Sequence, residues 1–363
     1  MFNSKKLLDG RVVRGSFGET SANTRPHESV GVIFLVLALF TIVLTGCSLD
    51  QSSNTPASTS RTIPSNAVQD YSAANVLQST GRCDRAIPLY LKAIQKSNIY
   101  VNAYVSLGGC YQTVGSPSAA IVEYNKAIPF DPTNWFLYYQ RAGAESSLGM
   151  NGQSQGDYNQ AMRLAPPERD TYVSIANGFS SFSDFDDAFK AMTKAIDLSP
   201  NDPSLYEARG TMYLTAKQYT DAYNDYKKAI AVAPYKVYQA SINANLAGVY
   251  YGQGDYDQVF TYMRKAISLQ PGNAHLYVVS GNYHRDASRY TDAIGLYNQA
   301  LDRVKHGPDA EAAHEGLGDA LVARGQINEG IAQYGQAIRL TKDKNVQAGV
   351  KAKIKAAQQG SQS

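Results

Sequence analysis

The sequence of 363 residues predicts an all-α solenoid, a stack of helix pairs in which each pair packs only against its neighbours. Three observations predict this fold class. A motif recurs every 34 residues, or every 37 in two places, between residues 67 and 344. Small and large side chains alternate at fixed positions of the motif. A proline follows the second helical segment in five of the eight units, which is typical of a residue that cannot continue a helix.

The eight units share their small and large positions. Position 27 is always Ala, position 8 is Gly or Ala, position 24 is Tyr or Met, and position 20 is small in seven units. Two helices approach closely only where side chains are short, and a bulky residue fills the remaining space along the seam. The predicted units are 67–100, 101–134, 135–168, 169–202, 203–236, 240–273, 274–307 and 311–344.

Three departures from the period carry expectations of their own. The extra residues 237–239 and 308–310 precede the sixth and eighth units, where we expect loops, since connections between repeats tolerate insertion. Pro88 falls inside the second helix of the first unit, and we expect it to strain or kink that helix. Residues 345–363 predict a capping helix and a tail, because apolar side chains spaced by four form one stripe there.

These residues and spacings resemble the tetratricopeptide repeat, a 34-residue helix–turn–helix unit. The resemblance covers residues 67–344, over three quarters of the chain. It implies a right-handed superhelix of about eight repeats, whose concave wall is built by the first helix of each repeat. It also implies a scaffold that binds other proteins, and not an enzyme; we expect no cofactor, no bound metal and no catalytic residue.

The concave wall, by the same resemblance, consists chiefly of positions 2, 5, 9 and 12 of each unit. In the first four units only Asp170 is charged among these sixteen positions, whereas later units add acidic residues and an arginine. Rigid aromatic rings and side-chain amides suit contacts with a peptide. The alternative is that the rings pack under the preceding segment or a neighbouring helix. The candidate groove residues are Tyr71, Asn102, Phe136, Tyr139, Asn177, Asn282 and Arg285.

The N-terminal region resembles the signal peptide of a bacterial lipoprotein. Residues 30–46 carry no charge, follow several Lys and Arg residues, and end in Gly46 directly before Cys47. The resemblance implies that residues 1–46 are removed and that Cys47 is acylated on its sulfur, a reaction that needs a nucleophilic thiolate. The alternative is an uncleaved signal anchor with an inert cysteine.

The segment after this cysteine, residues 47–66, is rich in Ser, Thr and Pro and predicts a disordered tether. Its root-mean-square reach is roughly 25 Å. By resemblance, Ser48 favours sorting to the outer membrane. We therefore expect the chain in the cell envelope, attached through its lipid to the periplasmic face of the outer membrane, where its partners are other envelope proteins and the membrane itself.

Cys83 and Cys110 stand at position 17 of the first unit and position 10 of the second, at the same rim of the predicted stack. In an exported protein they are a candidate disulfide, which stabilises a small domain by closing a loop in the unfolded chain. The alternative is a pair of buried small residues.

Charge and composition exclude other classes of function. A net charge of +3 is too small for a chain that binds nucleic acid through a basic field. Five His and three Cys are too scattered for a metal framework, and no phosphate-binding loop or nucleophile elbow is present. Two alternatives to a general envelope scaffold stay open: a peptidoglycan- or glycan-binding protein that stacks sugars on its tyrosines, and a lipoprotein of pilus assembly.

Overall fold

The structure, a computed structural model, describes residues 62–233 and 235–360. The predicted signal peptide, Cys47 and the tether up to residue 61 lie outside these residues. Within the described ranges the chain forms seventeen α-helices and no strand, which confirms the predicted all-α class. No helix of these ranges is both long enough and apolar enough to cross a membrane.

The first sixteen helices form eight pairs, here called repeats 1 to 8, each made of an odd-numbered first helix and an even-numbered second helix. A final helix, α17, follows repeat 8. The helices are α1 (Ser65–Ser79), α2 (Cys83–Lys96), α3 (Val101–Thr113), α4 (Pro117–Ala127), α5 (Trp135–Ser147), α6 (Asn151–Leu164), α7 (Arg169–Ser181), α8 (Phe185–Leu198), α9 (Pro203–Thr215), α10 (Tyr219–Val232), α11 (Lys236–Gln253), α12 (Tyr256–Leu269), α13 (Ala274–Asp286), α14 (Tyr290–Arg303), α15 (Pro308–Ala323), α16 (Ile327–Leu340) and α17 (Lys344–Gly360).

Helices pack against their neighbours in sequence, as a solenoid requires. Each second helix contacts the first helix of its own repeat and that of the next, and the first helices of most adjacent repeats also touch. The side chain at position 24 lies against the small residue at position 8: a Cβ placed on Gly281 would lie 2.7 Å from the ring of Tyr297. A larger residue at position 8 therefore cannot enter without moving the second helix.

Local signals explain where the first helices begin. Asn134, Asp202 and Asn273 each accept a hydrogen bond from the main-chain N–H two residues ahead, and so cap α5, α9 and α13. In four repeats, a tyrosine at position 4 of the first helix forms a hydrogen bond with the loop that precedes this helix. These hydroxyls donate to the carbonyl oxygen of position 32 of the preceding repeat, over 3.0 to 3.1 Å, in the pairs Tyr104–Asn98, Tyr138–Pro132, Tyr206–Pro200 and Tyr277–Pro271.

The expectation of loops at the two spacers is wrong. Residues 237–239 and 308–310 belong to the first turns of α11 and α15, which are therefore longer than the other first helices. Pro308 stands at the start of α15, where its missing N–H costs no helical hydrogen bond. Insertion of three residues is close to one helical turn, so it lengthens the helix without changing which face is buried.

Three further observations concern the ends of the array. Helix α1 begins at Ser65, so the last two residues of the predicted tether are helical, and the Pro64 carbonyl accepts from the N–H of Ala67. Pro88 lies inside α2, which continues through it from Cys83 to Lys96. At the other end, Val350 of α17 is buried, as its place on the predicted stripe requires.

Candidate functional site

The candidate site is the surface formed by positions 2, 5, 9 and 12 of the first helices, here called the inner face. A spacing of three and four residues places these positions on one side of each helix. The predicted groove residues all belong to this set, and the structure puts them on α1, α3, α5, α7 and α13. Their surroundings differ strongly from one end of the inner face to the other.

Position 9 supports the buried tyrosines of the second helices in four repeats. In each of them the hydroxyl of the tyrosine at position 24 forms a hydrogen bond with the position 9 side chain, which keeps a buried polar group satisfied. Burial raises the pKa of one such tyrosine, Tyr90, to about 12. The pairs are Tyr90–Asn75 at 2.6 Å, Tyr226–Thr211 at 3.0 Å, Tyr297–Asn282 at 2.7 Å and Tyr334–Asp319 at 2.8 Å.

Repeats 2 and 3 lack this support, because their position 9 residues are Gly109 and Gly143. The hydroxyl of Tyr124, the position 24 residue of repeat 2, is fully buried and has no hydrogen-bond partner. Burial raises the pKa of Tyr124 well above its usual range, so this hydroxyl stays neutral. Because these two glycines have no side chain, the inner face is recessed at both positions.

A glutamine side chain of the preceding repeat lies near each of these two glycines. A Cβ placed on Gly109 would lie 3.7 Å from Gln78 Nε2, and one on Gly143 would lie 3.9 Å from Gln112 Nε2. Gln112 also donates to the main-chain oxygen of Gln140 over 3.0 Å. Both glutamines are half-buried.

The aromatic groove residues of repeat 3 are partly used for packing. The ring centroid of Tyr139 lies 5.6 Å from that of Tyr158 and 5.9 Å from that of Trp135, while Phe136 stacks on Tyr139 at 6.1 Å. Burial raises the pKa of Tyr139. Both Phe136 and Tyr139 are half-buried, so only part of each side chain remains at the surface.

The remaining groove residues of the N-terminal half are more accessible. Tyr71 is half-buried and its ring lies 4.9 Å from that of Tyr100. Asn102 and Asn177 are exposed. Their role in binding a partner stays a prediction, but they are the predicted residues that a ligand can reach with the least rearrangement.

The C-terminal end of the inner face is a network of paired charges. Arg285 donates to Asp319 over 3.1 Å, and Lys353 of α17 lies 2.9 Å from both Asp319 oxygens and 2.7 Å from Glu315. Burial lowers the pKa of Lys353, but Asp319 and Glu315 outweigh that effect and raise it overall. Two predicted groove residues therefore form hydrogen bonds within the protein: Arg285 donates to Asp319, and Asn282 accepts from Tyr297. The sequence carries a signal for this network, since Arg285, Asp319 and Lys353 are spaced by 34 residues.

The carboxyl group of Glu145 in repeat 3 is buried, and the sequence alone did not predict this. Arg141 forms a two-point ion pair with Asp157, at 2.5 and 2.8 Å, and Glu145 lies one helical turn after Arg141 with Nε and Oε1 3.9 Å apart. The second oxygen of Glu145 is buried without a partner. Burial first, and then the charge of Asp157, raise the pKa of Glu145 to about 7.

The two candidate disulfide cysteines lie side by side where repeat 1 packs against repeat 2. Their Cα atoms are 5.1 Å apart and the structure joins their sulfur atoms. Cys83 begins α2, and Cys110 follows Gly109 in α3, so the bond connects repeat 1 to repeat 2. Both side chains are buried, at 3% and 0% exposure. In residues 62–233 and 235–360, no cluster of three or more His, Cys, Asp or Glu side chains could hold a metal ion.

Comparison with known proteins identifies the repeat unit. Models of the tetratricopeptide repeat match residues 240–273 and 278–345. The fold is that of the tetratricopeptide repeat. A solved tetratricopeptide repeat protein from Parabacteroides merdae aligns over 81% of this chain and 100% of its own, with a TM-score of 0.51 and 15% identity. That likeness supports the fold alone.

Two shorter solved structures align with part of the chain. Pseudomonas aeruginosa pilF covers 61% of this chain and 97% of its own, at 15% identity and a TM-score of 0.41. YrrB, described as a tetratricopeptide protein with an unusual peptide-binding site, covers 50% of this chain and 92% of its own, at 18% identity and a TM-score of 0.39. No curated protein sequence matches the chain significantly.

Proposed function

We propose that the chain is a non-catalytic scaffold that binds segments of other proteins on its inner face, while a lipid on Cys47 holds it at the bacterial cell envelope. The observation that carries the first part is the N-terminal half of the inner face. It is almost free of charge, it presents half-buried rings and amides, and Asn102 and Asn177 are exposed on it. The C-terminal end, in contrast, pairs its own charges.

Tetratricopeptide arrays place such a surface on rigid helices, which lowers the entropy lost when a partner binds. A binding surface of this kind needs a few ordered rings and several adaptable polar groups. Phe136 and Tyr139 supply the rings, and Gln78 and Gln112 the adaptable groups. We place polypeptide binding ahead of glycan binding because the ring of Tyr139 packs against Tyr158, which leaves little open aromatic face for a sugar.

A photo-cross-linking amino acid tests the binding surface. Placed at Asn102 or Asn177, it should give adducts with partner proteins in living cells. Placed at Val122, which is 49% exposed on the second helix of repeat 2, it should give none. Equal adducts at the inner and outer positions would contradict the proposal.

The envelope attachment rests on the apolar segment 30–46 that ends at Cys47, and we propose the periplasmic face of the outer membrane as its place. Partition of the protein into a detergent phase should be abolished by Cys47→Ser, and mass spectrometry of the N-terminal peptide should show an acylated Cys47. Density fractionation of the two membranes tests the outer-membrane assignment. An unmodified thiol at Cys47 in membranes would exclude the lipid anchor.

A further inference from the structure

The start of α11 carries two exposed apolar side chains. Helix α11 begins four residues before Ala240, the first position of its repeat, whereas α9 and α13 begin at that position. The start of α11 therefore projects about 6 Å beyond the starts of its neighbours. Tyr235 and Val237 lie at this projection. They are 72% and 64% exposed, which makes them two of the three most exposed large apolar residues of the described ranges.

Five cations lie at the same edge of the helix stack. Short connections make consecutive helices antiparallel, so α10 and α12 both end at the edge where α11 begins. The last two turns of these helices, residues 226–232 and 263–269, contain no Asp or Glu, and neither does the first turn of α11. Together with Tyr235 and Val237, the five exposed cations are here called the basic patch: Lys227, Lys228, Lys236, Arg264 and Lys265.

The charge of these cations is not compensated within the protein. None of the five forms an ion pair with a carboxylate in residues 62–233 and 235–360. Lys228 and Lys265 lie instead over the rings of Tyr206 and Tyr262, with Nζ 5.9 and 4.6 Å from the ring centroids. A helix C-terminus favours a cation in every repeat. Yet each of the other six second helices has at most one cation in its last two turns that is not paired with a carboxylate.

The carboxylates of α10 and α12 lie away from the basic patch or are paired. Asp221 and Asp257 stand six or seven residues before the first cation of their helix, about 10 Å along the helix axis and about one Debye length at 0.1 M salt. Asp225 is buried and paired with Arg209. The patch therefore concentrates positive charge, although the formal net charge of the whole chain is only +3.

The combination of cations and apolar side chains indicates the kind of partner. A soluble polyanion would pair with the cations and leave Tyr235 and Val237 in water. An anionic bilayer offers phosphate groups to the cations and, directly below them, an apolar layer to the two side chains. Tyrosine is typical of that interface, because its ring is apolar and its hydroxyl is polar. The basic patch therefore fits a bilayer better than a soluble polyanion.

We propose that the basic patch binds the anionic headgroups of a lipid bilayer, with Tyr235 and Val237 inserted at the interface. This inference rests on the envelope attachment in the proposed function and adds a second contact with the membrane. A lipid on Cys47 keeps the patch at a high effective concentration near the bilayer. Binding through the ends of the second helices leaves the inner face, which the first helices form, available to partner proteins.

The test uses the chain purified from the membranes of the cells that express it and reconstituted into vesicles. Brominated acyl chains in these vesicles quench the fluorescence of any tryptophan that reaches them. In a Tyr235→Trp variant, the introduced tryptophan should be quenched when phosphatidylglycerol is present and not in phosphatidylcholine alone. The unsubstituted protein is the control. Its single tryptophan, Trp135, lies in α5 and should not be quenched in either kind of vesicle.

Two pairs of substitutions in the Tyr235→Trp variant test the cations. Lys227→Gln/Lys228→Gln should lower the ratio of bound to free patch about 30-fold, because two cations near the anionic surface are lost. Lys344→Gln/Lys351→Gln is the matched control. It removes two exposed lysines of α17 and should leave the quenching unchanged. All of these side chains are exposed, and thermal melting checks that each variant is folded.

An absence of quenching in anionic vesicles would overturn the proposal, and so would equal losses in the two lysine double variants. Equal quenching without phosphatidylglycerol would overturn the role of charge. Slower hydrogen exchange of α10 and α12 with soluble polyphosphate, but no quenching in vesicles, would replace the bilayer by a soluble polyanion.

Mass spectrometry of Cys47 in the same preparation tests the anchor separately. An acylated Cys47 without quenching would overturn the basic patch and leave the proposed function standing. Quenching with an unmodified Cys47 would support the patch and exclude the anchor.

Discussion

The two ends of the inner face are built from the same helix positions and use them differently. At the N-terminal end, position 9 is Gly109 and Gly143, and a buried tyrosine hydroxyl has no partner. At the C-terminal end, position 9 is Asn282 and Asp319, and both serve buried tyrosines. At the N-terminal end only repeat 1 satisfies its tyrosine, through Asn75, and repeat 2 leaves a buried hydroxyl without a partner.

This difference shows that a repeat architecture fixes the scaffold and leaves the surface free to vary. The buried pair of positions 8 and 24 is common to both ends, because close helix packing requires it. Positions 9 and 12 lie outside that requirement. We propose that their chemistry decides which part of an otherwise uniform array binds a partner.

The largest expected effect concerns the disulfide at the N-terminal end. Cys83→Ser/Cys110→Ser should destabilise repeats 1 and 2 by about 3 to 4 kcal/mol, because closing a loop of this length removes that much entropy from the unfolded chain. Hydrogen exchange of α1 to α3 should accelerate, and a reductant should have the same effect on the unsubstituted protein but none on the double variant. Full reaction of both cysteines with a thiol label before reduction would contradict the bond.

A smaller effect is expected at the C-terminal end. Lys353→Met should loosen α17 by about 2 kcal/mol, since it removes the charged hydrogen bonds to Glu315 and Asp319 and leaves Asp319 paired with Arg285 alone. Hydrogen exchange of α17 measures the change. Lys351→Met is the control, because Lys351 is exposed on the same helix. Similar effects of the two substitutions would show that the charge network does not hold the helix.

Glu145 makes stability depend on pH in repeat 3. Its pKa is raised to about 7 in the folded protein, against about 4.3 in an unfolded chain, so the folded state binds the proton more tightly. Stability should therefore fall as the pH rises from about 4 to about 7. Glu145→Gln should remove this dependence and stabilise the protein by roughly 1 to 2 kcal/mol at pH 8, with little change at pH 4.

Denaturant unfolding at several pH values measures this effect. The control is Tyr213→Phe, because Tyr213 holds the same position beside the equivalent Arg209–Asp225 pair of repeat 5 and does not ionise in this range. A Glu145→Gln gain that is as large at pH 4 as at pH 8 would show that ionisation is not its cause.

The smallest effect compares one tyrosine from each end. Tyr297→Phe loses the hydrogen bond to Asn282 and should cost about 1 kcal/mol, whereas Tyr124→Phe removes a hydroxyl without a partner and should be neutral or stabilising. Denaturant unfolding of both variants under the same conditions gives the difference. Equal losses would mean that the Tyr124 hydroxyl is satisfied in solution.

The fold was largely predictable because its signals are periodic. Small residues at positions 8 and 27 and a Tyr or Met at position 24 are buried for packing reasons that recur in every repeat. The extra turns of α11 and α15 were not predictable from the sequence, since three additional residues fit a loop or a helical turn equally well. Only the three-dimensional context of their neighbours decides between the two.

The sequence predicted which helix face carries the candidate site, but it did not predict the contacts that the residues of this face make. The sequence places Asn282 and Arg285 on the inner face, but their use inside the protein depends on hydroxyl and carboxylate groups brought from other helices. The burial of Glu145 next to Asp157 likewise arises only when α5 and α6 pack together. Side chains at positions 9 and 12 therefore have to be interpreted from their contacts.

The most direct test of this contrast is a hydrogen-exchange footprint of the full chain with a saturating concentration of a partner protein identified by the cross-linking at Asn102. Slower exchange should appear in α1, α3 and α5, with α13, α15 and α17 unchanged. Protection centred on α13 and α15, with none at the N-terminal helices, would contradict the assignment of the binding surface to repeats 1 to 3.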